Sequence, residues 1–182
     1  MGLWQVSAGS VSFEGENIGL LATPDIAQRG IAYVPENMIL AARNAKGAED
    51  MDAQRLEWVF GLFPAMKRFW QHPAGLLSGG QKQMLAVARA IVEPRKLLLI
   101  DEPSKGLAPA IIQNMITAFQ ELKRTDTTIL LVEQNFNFAR QLGDQVAVMD
   151  GGRIVHSGSM ADLAGDEGLQ QRLLGLSLAS HQ

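Results

Sequence analysis

The sequence predicts an α/β fold with a mainly parallel sheet and a helical subdomain. Three observations predict it. Strand and helix signals alternate along much of the chain. The strand at residues 97–100 is a continuous apolar run, which suits a parallel sheet covered on both faces, and 128–132 reads as a second buried strand. From Asn37 to Gly75 there is no β signal, and apolar residues there fall at helical spacing. The chain has 182 residues, 47% hydrophobic and 19% charged, enough to fill the core of one domain.

Each element has its own local reason. Val11-Ser12-Phe13 is short and β-like, and the turn-prone Gly15-Glu16-Asn17 follows. Thr23 reads as an N-cap, with Pro24 at the first helical position and Gly30 as the stop. Ile31-Ala32-Tyr33-Val34 is an apolar strand that Pro35 ends. Residues 37–76 form the helical subdomain, with Arg55, Leu56, Trp58, Val59, Phe60, Leu62 and Phe63 at helical spacing. The aromatic residues Trp58, Phe60, Phe63, Phe69 and Trp70 serve there either as a small core or as a docking face for a partner.

The α/β pattern returns in residues 77–182. Ser78 caps a helix over 79–92, with Met84, Leu85, Val87, Ala88 and Ile91 on one side. The strand at 97–100 comes next, then an amphipathic helix over 110–123 and the strand at 128–132. A short helix spans 135–142. Strands at 146–149 and 153–156 flank Asp150-Gly151-Gly152 as a hairpin, and one or two helices follow Ser159.

Composition excludes several functions. The net charge is −3 and no basic block occurs, which excludes the electrostatic footprint of a nucleic-acid binder. The absence of cysteine removes disulfides, thiolate nucleophiles and Cys-ligated zinc. His72, His156 and His181 have no metal-ligand spacing. No apolar run approaches the roughly 18 residues of a membrane span. Met1-Gly2-Leu3-Trp4 has neither the charged nor the apolar region of a signal peptide.

Two segments carry chemistry. Leu97-Leu98-Leu99-Ile100-Asp101-Glu102-Pro103 is an apolar strand ending in adjacent carboxylates at the carboxyl edge of a sheet, where ligands bind in open α/β folds. Strand alternation sends the two acids different ways, so Asp101 can hold magnesium while Glu102 faces a water. The same pattern also describes a strand end whose acids are merely solvated. In Leu77-Ser78-Gly79-Gly80-Gln81, two glycines before a capped helix let a phosphate approach the amides, and the helix dipole favours an anion. Read alone, this is equally an ordinary helix start.

Together, Leu77 to Gln81, Ala88-Arg89-Ala90 and Leu98 to Pro103 resemble the ATP-binding-cassette (ABC) ATPases of membrane transporters, over nearly the whole chain. The resemblance implies a partial P-loop NTPase fold and the cofactors ATP and magnesium. It makes Ser78, Gly79, Gly80 and Gln81 the signature motif, gripping the γ-phosphate of ATP held by an opposite subunit. Asp101 would serve magnesium and Glu102 would be the general base. Ser104, Lys105, Gly106, Leu107 and Ala108 would form a loop across the dimer interface. Glu36 stands where the family usually has a glutamine sensing magnesium and the γ-phosphate. Gln134 replaces the switch histidine; it can donate a hydrogen bond to phosphate but cannot carry a proton charge. Val132-Glu133-Gln134-Asn135 and the segment from Pro103 to Pro109 are similar to the ATPase subunits of branched-chain amino-acid importers and their relatives for urea and amides. The implied partners are a second ATPase subunit and transmembrane permease subunits, at the cytoplasmic face of the plasma membrane.

One family element is absent. None of the six lysines (46, 67, 82, 96, 105 and 123) follows a glycine, so no Gly-x-x-x-x-Gly-Lys-Ser/Thr loop is present. By resemblance, that loop and the adenine-stacking aromatic precede the segment at Gly2-Leu3-Trp4, which makes this a truncated domain. Val34-Pro35-Glu36-Asn37-Met38 also runs straight into Ile39-Leu40-Ala41, which implies either an internal deletion of roughly a dozen residues or a naturally short loop. The chain alone is then expected to bind ATP very weakly and to expose apolar edges. Two other readings remain at this point: a non-catalytic module that lends its signature motif in trans or docks on a permease, and a fragment with no function of its own.

Overall fold

The structure, a computed structural model, describes residues 6–34, 53–69 and 72–175. The chain forms two compact units, residues 1–133 and 134–182.

The first unit opens with a two-stranded antiparallel hairpin, β1 (Ser12–Phe13) and β2 (Glu16–Asn17). Its turn is centred one residue earlier than the sequence suggests, on Glu14 and Gly15, both with positive φ. The Arg29 guanidinium grips Glu16 through Nε (2.7 Å) and Nη2 (2.5 Å). That hydrogen bond, aided by the charge of Arg29, holds the Glu16 carboxyl below its ordinary range. Helix α1 (Thr23–Gln28) starts one residue before the expected point. Its N-cap is Ala22, whose backbone is extended, so Thr23 is the first helical residue and not the cap. Gly30 ends the turn at φ 87, as expected.

Strand β3 (Ile31–Val34) leads to the helical region, whose described part holds α2 (Ala53–Leu62), α3 (Met66–Phe69) and a 3-10 turn (Ala74–Leu76). Phe60, Phe63 and Phe69 are buried with Val59, Leu62 and Met66, so these aromatics build a small core. Arg55 on α2 donates from Nε (3.2 Å) and Nη2 (2.8 Å) to the Ile91 carbonyl, with its guanidinium 3.9 Å over the Trp58 ring.

Helix α4 (Gly79–Ile91), strand β4 (Leu97–Asp101), helix α5 (Pro109–Leu122) and strand β5 (Thr128–Val132) complete the unit. On α4 the buried side includes Met84, Val87, Ala88 and Ile91 as expected, with Gln83 and Ala86, while Leu85 is half-buried. The sheet order is β3-β4-β5, all parallel, with Tyr33 beside Leu99 and Ile100 beside Leu131. Val34, Leu98 and Ile100 share one buried face. The other face carries Tyr33, Leu99 and Asp101, and there Leu130 and Val132 are 56% and 54% exposed. The expectation of a buried β5 is therefore corrected: an apolar run predicts burial on both faces, but Thr128, Leu130 and Val132 are exposed and Ile129 and Leu131 only half-buried.

In the second unit, Asn135 caps the short α6 (Phe136–Ala139). The hairpin β6 (Gln145–Asp150) and β7 (Arg153–Ser159) turns at Gly151-Gly152. Helices α7 (Met160–Gly165) and α8 (Glu167–Leu174) follow, capped by Ser159 and Asp166. Among the described residues no helix is long and apolar enough to cross a membrane.

Candidate functional site

The carboxyl edge of the three-stranded sheet is where the first chemistry-bearing segment sits. Asp101 is the last residue of β4 and pairs in register with Val132. Its Oδ2 accepts a hydrogen bond from the Tyr33 hydroxyl at 3.3 Å, across from β3. Tyr33 lies beside Leu99, two residues before Asp101 and on the same face, so the phenol reaches diagonally along the sheet. The sequence marks Tyr33 only as a strand residue; the signal that it meets Asp101 is the strand register, which is non-local.

Glu102 leaves the strand. Its φ is +42, a left-handed conformation that costs a non-glycine residue about 1–2 kcal/mol. The direction of its side chain is set by this backbone and not by strand alternation. Its amide donates to the Val132 carbonyl (2.9 Å), which ties the residue to the end of β5. Its carboxylate is only 13% exposed and pairs with the Lys105 ammonium at 2.9 Å.

The loop at 104–108 is a compact turn. Lys105 N donates to the Glu102 carbonyl and Leu107 N to the Ser104 carbonyl, and Gly106 supplies φ 69. Ser104 is buried, and its amide donates to Glu133 Oε2 at 3.2 Å. Lys105, Gly106 and Ala108 are exposed, and Leu107 is half-buried. Ala108 is also the N-cap of α5, with Pro109 in the first turn, so the loop ends as a helix begins.

The second segment forms the start of α4. Ser78 Oγ accepts from Gln81 N (3.3 Å) and Gln81 Oε1 accepts from Ser78 N (2.8 Å), a reciprocal capping box. The two glycines differ. A Cβ on Gly80 would lie 3.3 Å from both Cγ1 and Cγ2 of Ile111, so Gly80 lets α4 approach the first turn of α5. Among the described residues, a Cβ on Gly79 would meet nothing within 4 Å. Ser78 and Gly79 are exposed, and Gly80 and Gln81 half-buried. Through Gly80 and Ile111 the structure brings the start of α4 to the helix that follows the 104–108 loop.

Two further predicted site residues are Gln134 and Glu36. Gln134 is exposed and opens the second unit, directly after Glu133 in the chain. Glu36, and the junction after it where a deletion is expected, lie outside the described residues. Among the described residues no three His, Asp or Glu side chains are placed to hold a metal ion by themselves. Asp101 at a sheet edge suits a hard dication that takes one or two carboxylates and completes its shell with phosphate and water.

This arrangement has relatives. The ABC transporter family pattern matches residues 1–105. The high-affinity branched-chain amino acid transport ATP-binding protein BraG of Pseudomonas aeruginosa is 38% identical over 182 residues, covering 94% of this chain and 78% of BraG. The probable branched-chain amino acid transport ATP-binding protein LivF of Archaeoglobus fulgidus is 31% identical over 188 residues, covering 96% of this chain and 79% of LivF. Among solved structures, an ATP-binding cassette of an ABC transporter in its ADP conformation matches with a TM-score of 0.72 at 21% identity, over 96% of this chain and 80% of that one. A bacterial Atm1-family ABC exporter with ATP bound matches with a TM-score of 0.70, also at 21% identity, over 93% of this chain and 32% of that one.

Proposed function

We propose, because this chain belongs to the ABC transporter family, that it is the ATP-binding subunit of a branched-chain amino-acid importer and contributes half of a paired nucleotide site. BraG and LivF, whose names carry that transport role, support this substrate class over urea or amides. The observation that carries the site reading is the contrast between the two glycines. Gly80 has a packing reason to lack a side chain, whereas Gly79 has open space before it and no such reason. A ligand at the amino end of α4 supplies one, since bare amides and the helix dipole favour a phosphate there.

On this reading Ser78, Gly79, Gly80 and Gln81 meet the γ-phosphate of ATP bound by a second subunit. Asp101, held by Tyr33, serves magnesium, which when bound neutralises charge on the phosphates. Glu102 is the general base, and Gln134 donates to phosphate. Glu36 is the sensing residue, and the loop from Ser104 to Ala108 faces the second subunit. The subunit works with transmembrane permease components from the cytoplasmic side, at the inner face of the plasma membrane. Domain boundaries follow the same reading: one nucleotide-binding domain over 1–182, with its helical subdomain at 37–76.

The 182 residues contain no Gly-Lys dipeptide. The P-loop amides and lysine supply most of the positive potential around a triphosphate. These 182 residues taken by themselves are therefore expected to bind ATP weakly, and their signature segment is tested against nucleotide held by a partner. The test is a mixture of this chain with BraG carrying a glutamine in place of its general base, in labelled ATP, followed by size exclusion. The expected result is a mixed dimer with one filled site, abolished by Ser78→Arg. That side chain fills the phosphate position, whereas loss of the cap alone costs only about 1 kcal/mol. A mixed dimer that persists with Ser78→Arg would reduce residues 78–81 to a helix start.

A further inference from the structure

Asp101 ends β4 on a sheet face whose other residues near the carboxyl edge are Tyr33, Leu99, Leu130 and Val132. Leu99 precedes it on its own strand and Val132 pairs with it on β5, and both are apolar. On the β3 side, Val34 pairs with Ile100, so no described residue of β3 stands directly opposite Asp101. Among these neighbours the polar side-chain atom belongs to Tyr33. From its register position beside Leu99 it sends its hydroxyl along the face to Asp101 Oδ2. An ionised carboxylate can only accept, so the phenol is the donor.

Tyr33 and Asp101 are both half-buried. A phenylalanine at 33 would present the same ring to the sheet. What the hydroxyl adds is a donor aimed at one carboxylate oxygen. The bond, at 3.3 Å, is longer than the about 2.5–3.0 Å of a strong O–H···O bond, so it contributes little to folding. Its directional effect is the larger one. With Oδ2 taken by the phenol, Oδ1 accepts no hydrogen bond among the described residues. A carboxylate that ligates a metal is commonly oriented by an outer partner of this kind. Magnesium suits such an acid, since it takes one or two carboxylates and keeps several waters.

We propose that Tyr33 is a positioning residue for the magnesium carboxylate: its hydroxyl holds Oδ2 of Asp101 and leaves Oδ1 for the cation. Tyr33 acts only through Asp101. The inference rests on the reading above, in which Asp101 serves magnesium.

The test uses the full 182-residue chain, with manganese as a paramagnetic stand-in for magnesium. First, three-bond NMR couplings across the Asp101 Cα–Cβ bond should report one dominant rotamer. Tyr33→Phe should average it. Second, manganese is titrated while the amides of residues 100–102 are watched for broadening, which magnesium should reverse. Asp101→Asn should remove the broadening. Tyr33→Phe should weaken the apparent affinity about tenfold, at the low end of the range for partners of this kind, in keeping with the long bond. Tyr33 is the one tyrosine of the chain, so feeding 3-fluorotyrosine replaces that residue alone. It keeps the hydroxyl and should bind manganese like the unsubstituted chain. A role in packing alone would not separate these two substitutions by metal affinity. No broadening near Asp101 in the unsubstituted chain removes the magnesium reading and this inference with it. Broadening that vanishes in Asp101→Asn, yet keeps its affinity in Tyr33→Phe, leaves that reading standing and overturns the role of Tyr33. An Asp101 rotamer unchanged by Tyr33→Phe overturns it as well.

Discussion

The start of α4 offers the sharpest separation of packing from function. Gly79 and Gly80 are neighbours in one helical turn, and alanine at either adds one methyl group. At Gly80 that methyl would sit 3.3 Å from two carbons of Ile111, tighter than ordinary contact, so α5 must yield by a few tenths of an ångström. Overpacking of this kind costs about 1–3 kcal/mol. Replacing a helical glycine recovers about 0.5–1 kcal/mol. The net expectation for Gly80→Ala is a loss of roughly 0–2.5 kcal/mol. At Gly79 an added Cβ would meet no side chain or distant backbone within 4 Å among the described residues, so only the gain applies, and Gly79→Ala should be neutral or stabilising by up to about 1 kcal/mol. Urea unfolding of both variants measures the difference. In the mixed dimer with BraG the ranking should reverse in meaning: Gly79→Ala, harmless to the fold, should weaken ATP-dependent pairing by tenfold or more. Gly79→Ala destabilising the chain as much as Gly80→Ala, or leaving pairing untouched, would refute the assignment of that open space to a ligand.

Three other outcomes are expected. The purified 182-residue chain should turn over ATP at background rate, unchanged by Glu102→Gln. Once an amino-terminal Gly-x-x-x-x-Gly-Lys-Ser/Thr segment is added, Glu102→Gln should lower turnover by about 10²–10⁴-fold; substantial turnover by the chain alone contradicts this. Arg55→Met removes two bonds to the Ile91 carbonyl and a guanidinium over Trp58, and thermal or urea unfolding should register a loss of about 1–3 kcal/mol. The pH dependence of the hairpin follows from the lowered Glu16 pKa: its stabilisation is complete above the ordinary carboxylate value and is lost as pH falls through the depressed one. Protection of the amides in residues 12–17, relative to their intrinsic exchange rate, should therefore fall only in acid, and Glu16→Gln should remove that transition.

What the sequence made legible was local. Ser78 with Gln81 three residues on is a capping box visible in the letters, and it forms. Gly30 punctuates the start of β3 as read, because glycine acts through its own backbone, whereas Pro35 lies outside the described residues. Thr23 misled because the cap is whichever residue holds extended φ/ψ at the helix entrance, and Ala22 does so without a side-chain acceptor. The acids at 101 and 102 were legible as a sheet edge, but their orientation was not. Tyr33 reaches Asp101 through strand register, Glu102 turns through a positive φ, and Ser104 meets Glu133 across 29 residues. None of these has a signature in neighbouring residues.

Strand β5 joins the two kinds of knowledge. Its apolar run at Thr128–Val132 has the composition of a strand covered on both faces, yet Leu130 and Val132 stand more than half exposed. They lie on the same face as Tyr33, Leu99 and Asp101, which is the face that carries the metal-binding carboxylate of the proposed site. Exposed leucine and valine in register on a sheet are unfavourable in water, at roughly 25 cal/mol for each Å² of apolar surface left uncovered. A sequence that keeps them there, beside the residues that would hold magnesium, is suited to a second layer over that face. Leu130 and Val132 are thus an exposed apolar part of the same sheet face that bears the half-buried Asp101.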